Sequence, residues 1–109
     1  MKQHLGEFEE IVLLITAAQQ DEAYGMSITK TIEEELNRSV TLSSVHTALY
    51  RLEEKGFVKS HIGGASDIRG GRSKRFFTVT NSGIDALKKS KQMRMKLWDM
   101  ASGLVGERS

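Results

Sequence analysis

Apolar residues at Leu5, Phe8, Val12 and Ile15 recur at the spacing of one helix face. Ile11, Leu13 and Leu14 widen the stripe, which predicts a well-buried first helix over residues 5–19. Gln19 to Ala23 is a polar connection. A second helix opens at Tyr24-Gly25, with Ile28, Ile32 and Leu36 at i, i+4, i+8 and Lys30, Glu33, Glu34 and Glu35 off that line. Thr29 and Thr31 are mediocre helix formers, so packing has to support this segment. Asn37 to Leu42 reads as a turn, with Val40 a candidate for a short strand. Val45, Ala48, Leu49 and Leu52 then form one apolar seam of a third helix. Ser43 is its expected N-cap, without the glutamate at N3 that completes a capping box. Gly56 suits the residue just past its end, where positive φ costs glycine little.

After Gly56 the period changes from that of a helix to that of a strand. Phe57, Lys59 and His61 alternate with Val58, Ser60 and Ile62, and Lys74 to Val79 supplies a partner. The loop between them carries Gly63, Gly64, Gly70 and Gly71, so a hairpin with a long tip is expected. Thr80, with Ser82 a close rival, caps a last helix that runs toward Ser102. Ile84, Leu87, Met93, Leu97, Met100 and Leu104 recur along it, flanked by Met95 and Trp98, while Lys88, Lys89, Lys91, Arg94 and Lys96 fill the other faces. One helix extending from a small domain cannot bury that stripe alone, and a second copy is the simplest cover. Leu5, Phe8, Met93, Leu97, Trp98, Met100 and Leu104 are the expected dimer contacts.

The chain has 109 residues, enough for one core. It has no cysteine, which removes disulfides, thiol nucleophiles and cysteine-based metal sites and fits a reducing compartment. The early apolar run Ile11 to Ile15 is too short to span a bilayer and follows acids rather than the basic start of a leader. A cytoplasmic protein without membrane contact is the expectation. The net charge of +2 conceals an asymmetry: residues 1–36 carry −6 and residues 37–109 carry +8. The second half is the part that draws a polyanion.

Two constellations in that half suit duplex nucleic acid. With the apolar seam inward, Ser43, Ser44, His46, Thr47, Tyr50 and Arg51 belong to the exposed side of the third helix. Ser44, His46 and Thr47 are the expected base readers, because the start of a recognition helix enters the major groove first; Tyr50 and Arg51 suit phosphate. On the hairpin, Lys59, Arg69, Arg72, Lys74 and Arg75 provide charge, and the glycines allow close backbone approach. Either set alone fits an ordinary solvated surface; their succession shifts the reading toward DNA. The fold class that accommodates both is mainly α (α+β): a winged helix-turn-helix over residues 1–80 with a two-stranded wing, then a C-terminal dimerisation helix over residues 81–109. Trp98 has two open readings, the wall of a flat ligand pocket at a dimer centre or part of a plain hydrophobic seam. His4, His46 and His61 match no metal spacing, and no nucleophile–base pair or phosphate-cradling loop is present, so neither enzyme chemistry nor a cofactor is expected. A protein-interaction module using the same surface to bind an acidic partner is the competing class.

The ordered segments Leu5-Gly6-Glu7-Phe8-Glu9-Glu10-Ile11-Val12-Leu13-Leu14, Ala23-Tyr24-Gly25-Met26-Ser27-Ile28 and Arg51-Leu52-Glu53-Glu54-Lys55-Gly56-Phe57-Val58 resemble the PadR-type bacterial transcriptional regulators. So do Gly70-Gly71-Arg72-Ser73-Lys74-Arg75-Phe76-Phe77 and Thr78-Val79-Thr80-Asn81-Ser82-Gly83, and the resemblance extends to Leu87. It implies a homodimeric winged-helix repressor on a near-palindromic duplex site, of the smaller kind with one C-terminal helix crossing to the other subunit. Some members release DNA on binding a small planar aromatic effector, and Trp98 looks placed for such a site. Many relatives carry tyrosine where His46 stands, a departure that leaves its DNA contact open.

Overall fold

The computed structural model describes residues 5–63 and 74–108. Its elements are α1 (Glu7–Gln19), α2 (Gly25–Leu36), α3 (Leu42–Glu54), β1 (Val58–Gly63), β2 (Lys74–Val79) and α4 (Asn81–Arg108), with a 3-10 turn at Gln20–Glu22. The first helix begins at Glu7 rather than residue 5, because Gly6 is its extended N-cap and its N–H donates to the Glu9 carboxylate at 3.3 Å. Val12 and Leu13 are fully buried, whereas Leu14 is half exposed, so the widened stripe is narrower than its composition. Gln19 joins α1 to α2: its amide donates to Thr31 Oγ1 at 2.9 Å, and Ser27 Oγ donates to its carbonyl oxygen at 2.6 Å. Ile28 and Ile32 are buried, but Leu36, in the last turn beyond the core, is 47% exposed. Asn37 ends α2 in the left-handed region at φ 51°, which asparagine tolerates.

Thr41, not Ser43, caps α3. Its hydroxyl accepts the Ser44 N–H at 3.0 Å, and Leu42 and Ser43 already belong to the helix. Val40 lies in the connection and forms no strand. The α3 seam is buried as its spacing dictates: Val45, Ala48, Leu49 and Leu52 join Val12, Leu13, Ile28 and Ile32 in one core. Truncating Leu49 or Leu52 to alanine would remove about 2–5 kcal/mol each. Gly56 takes φ +82° past the helix end. Phe57 precedes β1 and is buried, so it does not share the exposure of Lys59 and His61, with which it is grouped in the alternation.

The hairpin is antiparallel, in register from Val58↔Val79 to Gly63↔Lys74. Its root is fastened to the chain ahead of α2: Phe77 N–H donates to the Ala23 carbonyl at 2.9 Å, and Tyr24 bridges to Phe76. Thr80 caps α4 by accepting the Gly83 N–H at 3.1 Å, while its own hydroxyl donates to the Gly56 carbonyl at 2.6 Å. Gly83 is pressed so closely on the wing root that a Cβ there would strike the Phe57 carbonyl oxygen and come within 2.7 Å of Val79 Cγ1. With no proline to stop it, α4 continues to Arg108, past the expected end at Ser102.

One polar clasp holds α4 to α1. The largely buried Glu10 accepts Arg94 Nη2 at 2.8 Å and Ser90 Oγ at 2.8 Å. The Arg94 hydrogen bond pulls the Glu10 carboxyl below its ordinary value, burial opposes that, and the Ser90 bond adds to the lowering. Past the clasp the large apolar residues of α4 are exposed: Trp98 is 60% and Met100 75% accessible. Among the described residues no helix is long and apolar enough to cross a membrane.

A carboxyl lowered on folding stabilises the fold above its unfolded value and loses that contribution as pH falls through its folded one. Glu10→Gln should therefore cost about 1 kcal/mol at neutral pH, discounted for the water-exposed Arg94. In thermal melts the gap from the parent protein should narrow as pH falls below the ordinary glutamate value of 4.5.

Candidate nucleic-acid interface

Burial of the α3 seam turns Ser43, Ser44, Thr47, Tyr50 and Arg51 to the exposed side of the helix. Two hydroxyls of this face are already donating to the backbone, Ser44 Oγ to the Thr41 carbonyl at 2.8 Å and Thr47 Oγ1 to the Ser43 carbonyl at 3.0 Å. Their lone pairs remain to accept, for example, from the amino group of adenine or cytosine. His46 is partly buried, contrary to the outward position expected for it. Its ring fills the space a side chain at position 25 would need and stacks on Tyr50, with centroids 6.0 Å apart at 29°. Tyr50 also tilts against Phe77 at 6.4 Å. Two rings thus fix the plane of the Tyr50 side chain while 48% of the residue stays accessible.

Ser44, Thr47 and Arg51 flank a cleft of about 290 Å³ against the Gly6 to Glu9 start of α1. Acids border this surface, and cations answer them. Lys55 Nζ is 2.6 Å from Glu9, and Arg38 is 3.5 Å from Glu7 with its guanidinium 5.5 Å from the Phe8 ring centroid. Burial opposes the Glu9 charge, yet the Lys55 hydrogen bond, the Gly6 N–H and the nearby Arg51 together hold its carboxyl below the ordinary value.

On the wing, Lys59 is exposed and lies opposite Thr78. Lys74 and Arg75 are also exposed but leave β2 on opposite faces. Lys74 Nζ sits 4.4 Å from the Tyr24 ring centroid, whereas Arg75 Nη1 donates to Ser60 Oγ at 2.9 Å. Ser60 Oγ in turn donates to Glu53 Oε2 at 2.8 Å. Arg69 and Arg72 lie outside the described residues. Leu5 and Phe8, expected at a dimer contact, pack partly buried against the core of their own chain. Met93, Leu97, Trp98, Met100 and Leu104 stand exposed along α4, where Arg94, Leu97, Trp98 and Ala101 line a shallow groove of about 260 Å³. Among the described residues no three His, Asp or Glu converge as a metal site.

A helix-turn-helix with an exposed polar reading face, followed by a cationic two-stranded hairpin, is the architecture of a winged-helix nucleic-acid binder. The family model "Transcriptional regulator PadR-like family" matches residues 13–89. The chain belongs to the PadR-like family of transcriptional regulators. A PadR family regulator from Clostridium difficile R20291 shares 25% identity, with 90% of this chain and 98% of that one covered at TM-score 0.71. A PadR-like regulator from Bacillus cereus shares 21% identity over 92% of this chain and 88% of its own, at TM-score 0.68. Bacillus subtilis PadR, solved in complex with operator DNA, shares 24% identity; 75% of this chain and 45% of that longer one are covered, at TM-score 0.64. No curated protein matches the chain.

In this PadR-like chain, sequence reading missed what Gly25, Tyr24, Glu53 and Ser60 do. Tyr24-Gly25 marked only a helix start, and the requirement for glycine comes from His46, 21 positions later in the chain. Gly25→Ala should therefore cost about 1–3 kcal/mol by forcing the imidazole aside. His46→Ala in the same chain should recover some of that loss. A double-mutant cycle read by denaturant unfolding measures the coupling.

Proposed function

We propose that this regulator acts in the cytoplasm as a homodimeric, sequence-specific DNA-binding repressor. The observation that carries the reading is the pairing of the exposed α3 face with the cationic hairpin on one rigid core. Supporting it, the similar Bacillus subtilis PadR has been solved on operator DNA. In this reading Ser43, Ser44 and Thr47 meet base edges, with Tyr50 held against His46 beside them. Arg51, Lys59, Arg69 and Arg72 meet phosphate, and Lys74 and Arg75 stand at the far end of the paired strands, opposite Gly63 and Ile62. The division of labour falls at the start of α4: residues 1–80 read DNA and residues 81–109 pair the subunits.

The dimer reading rests on the exposed Met93, Leu97, Trp98, Met100 and Leu104, a stripe that a second α4 would cover. Pairing would set two α3 helices about 34 Å apart on a near-palindromic site. A small planar aromatic effector at the groove beside Trp98 completes the proposal, since Trp98 and Leu97 offer flat apolar walls and Arg94 a polar edge.

Gel-shift titration against the duplex upstream of the protein's own gene tests the DNA reading. Lys59→Ala or Arg72→Ala should weaken binding to all duplexes alike and reduce the slope of log K against log salt by about 0.9 for each phosphate no longer neutralised. Thr47→Ala should instead change which sequence is preferred. No shift even at low salt would pass the surface to an acidic protein partner.

Leu97→Lys should give a monomer in sedimentation analysis and lose high-affinity DNA binding with it. Quenching of Trp98 fluorescence by planar aromatic compounds in the native protein, with release of DNA at the same concentrations, is the outcome expected for the effector. Fluorescence that ignores such a panel would reject it.

A further inference from the structure

Arg75 was expected to hold phosphate, yet one nitrogen of its guanidinium donates into a relay within the protein. It leaves β2 on the same side as the buried Phe77, toward α3, while its neighbour Lys74 leaves on the other side over Tyr24. The relay runs from Arg75 Nη1 to Ser60 Oγ at 2.9 Å, and from Ser60 Oγ to Glu53 Oε2 at 2.8 Å. It thus joins the second strand of the wing, through the first, to the last turn of the candidate reading helix. Every link has a satisfied geometry: the hydroxyl accepts from a cation and donates to an anion, an arrangement that strengthens both bonds.

Glu53 points the same way. A carboxylate one turn beyond Tyr50, on the helix that faces a polyanion, weakens association by repulsion. Its presence is accounted for by what it holds. We infer that Arg75 acts as a positioning residue for DNA reading, locking the wing to the C-terminal end of α3 through Ser60 and Glu53. The inference rests on the DNA-binding role proposed above. The consequence is specificity: with the relay closed, wing and reading helix dock as one body, so phosphate contacts at the wing fix the register of side chains in the groove.

The test uses the full chain and a duplex selected by the native protein from a random pool, with an unselected duplex as reference. Ser60→Ala opens the relay without changing charge. It should lower affinity for the selected duplex about five- to tenfold, the net worth of one hydrogen bond, and leave the reference duplex and the salt slope unchanged. Ser60→Thr keeps the hydroxyl and should restore affinity. Glu53→Ala should also lose affinity for the selected duplex, although removing an acid alone would raise it. Arg75→Gln should add little in the Ser60→Ala background. The inference is overturned if Ser60→Ala binds like the parent. It is equally overturned if Arg75→Gln weakens both duplexes alike and reduces the salt slope by about 0.9, since Arg75 is then a direct phosphate contact. Failure of the native protein to select any duplex would overturn the DNA-binding role itself, and this inference with it.

Discussion

Burying Val45, Ala48, Leu49 and Leu52 along one side of α3 is the constraint from which the rest of the surface follows. A helix repeats every 3.6 residues, so once those four face Val12, Leu13, Ile28 and Ile32, Thr47, Tyr50 and Arg51 between them turn outward, and His46 falls at the edge, against Gly25. That packing brings Ser44, Thr47, Tyr50 and Arg51 to a common face without any polar interaction to direct them. It also fixes where α3 ends, hence where Gly56 turns the chain and where the hairpin begins. The wing root then closes on the same core through Phe77, which touches the α3 side by its ring and the segment before α2 by its backbone N–H.

The polar interactions divide into two groups with different tasks. One group satisfies groups that the core strands in low dielectric: Thr16 with the Val12 carbonyl, Thr29 with the Gly25 carbonyl, and the Gln19–Ser27–Thr31 set. These make burial tolerable rather than favourable. The other group fastens elements to one another: Glu9 with Lys55, Glu10 with Arg94 and Ser90, and Glu53 with Ser60 and, through it, Arg75. Each of these acids comes from a helix; Glu9 and Glu10 meet a cation from another stretch of the chain directly, and Glu53 meets one through the Ser60 hydroxyl. The acidic first third and the basic remainder, visible as a charge asymmetry in sequence, supply opposing jaws to the first two of these clasps.

The elements were legible because their signals are local. The α3 seam, the alternation of β1, the glycine at position 56 and the cap at Thr80 all follow from residues within a turn or two. The errors were local too, and explicable. Thr41 and Ser43 are both good caps, and only backbone geometry decides between them. Leu36 keeps the helical period but lies past the end of the core it would need. The side-chain roles at the candidate interface were less legible, because they depend on partners distant in sequence. Nothing near His46 announces that its ring will lie against Gly25, and nothing near Arg75 announces Ser60 and Glu53. Charge in a loop reads as reach toward an outside anion; the fold shows some of it spent on internal geometry.

The absence of a side chain at Gly83 bears on how the two halves of the molecule move together. There the backbone of α4 rests directly on the carbonyl of Phe57, with no intervening atoms to cushion a tilt. From that fulcrum the helix runs about 38 Å to its far end, at 1.5 Å per residue, passing the Glu10–Arg94 clasp on the way. A rotation of only about 5° at the pivot would sweep its far end through roughly 3 Å, about the rise of one base pair along a duplex. A methyl group added at the pivot would thus be felt least where it sits and most at the opposite tip.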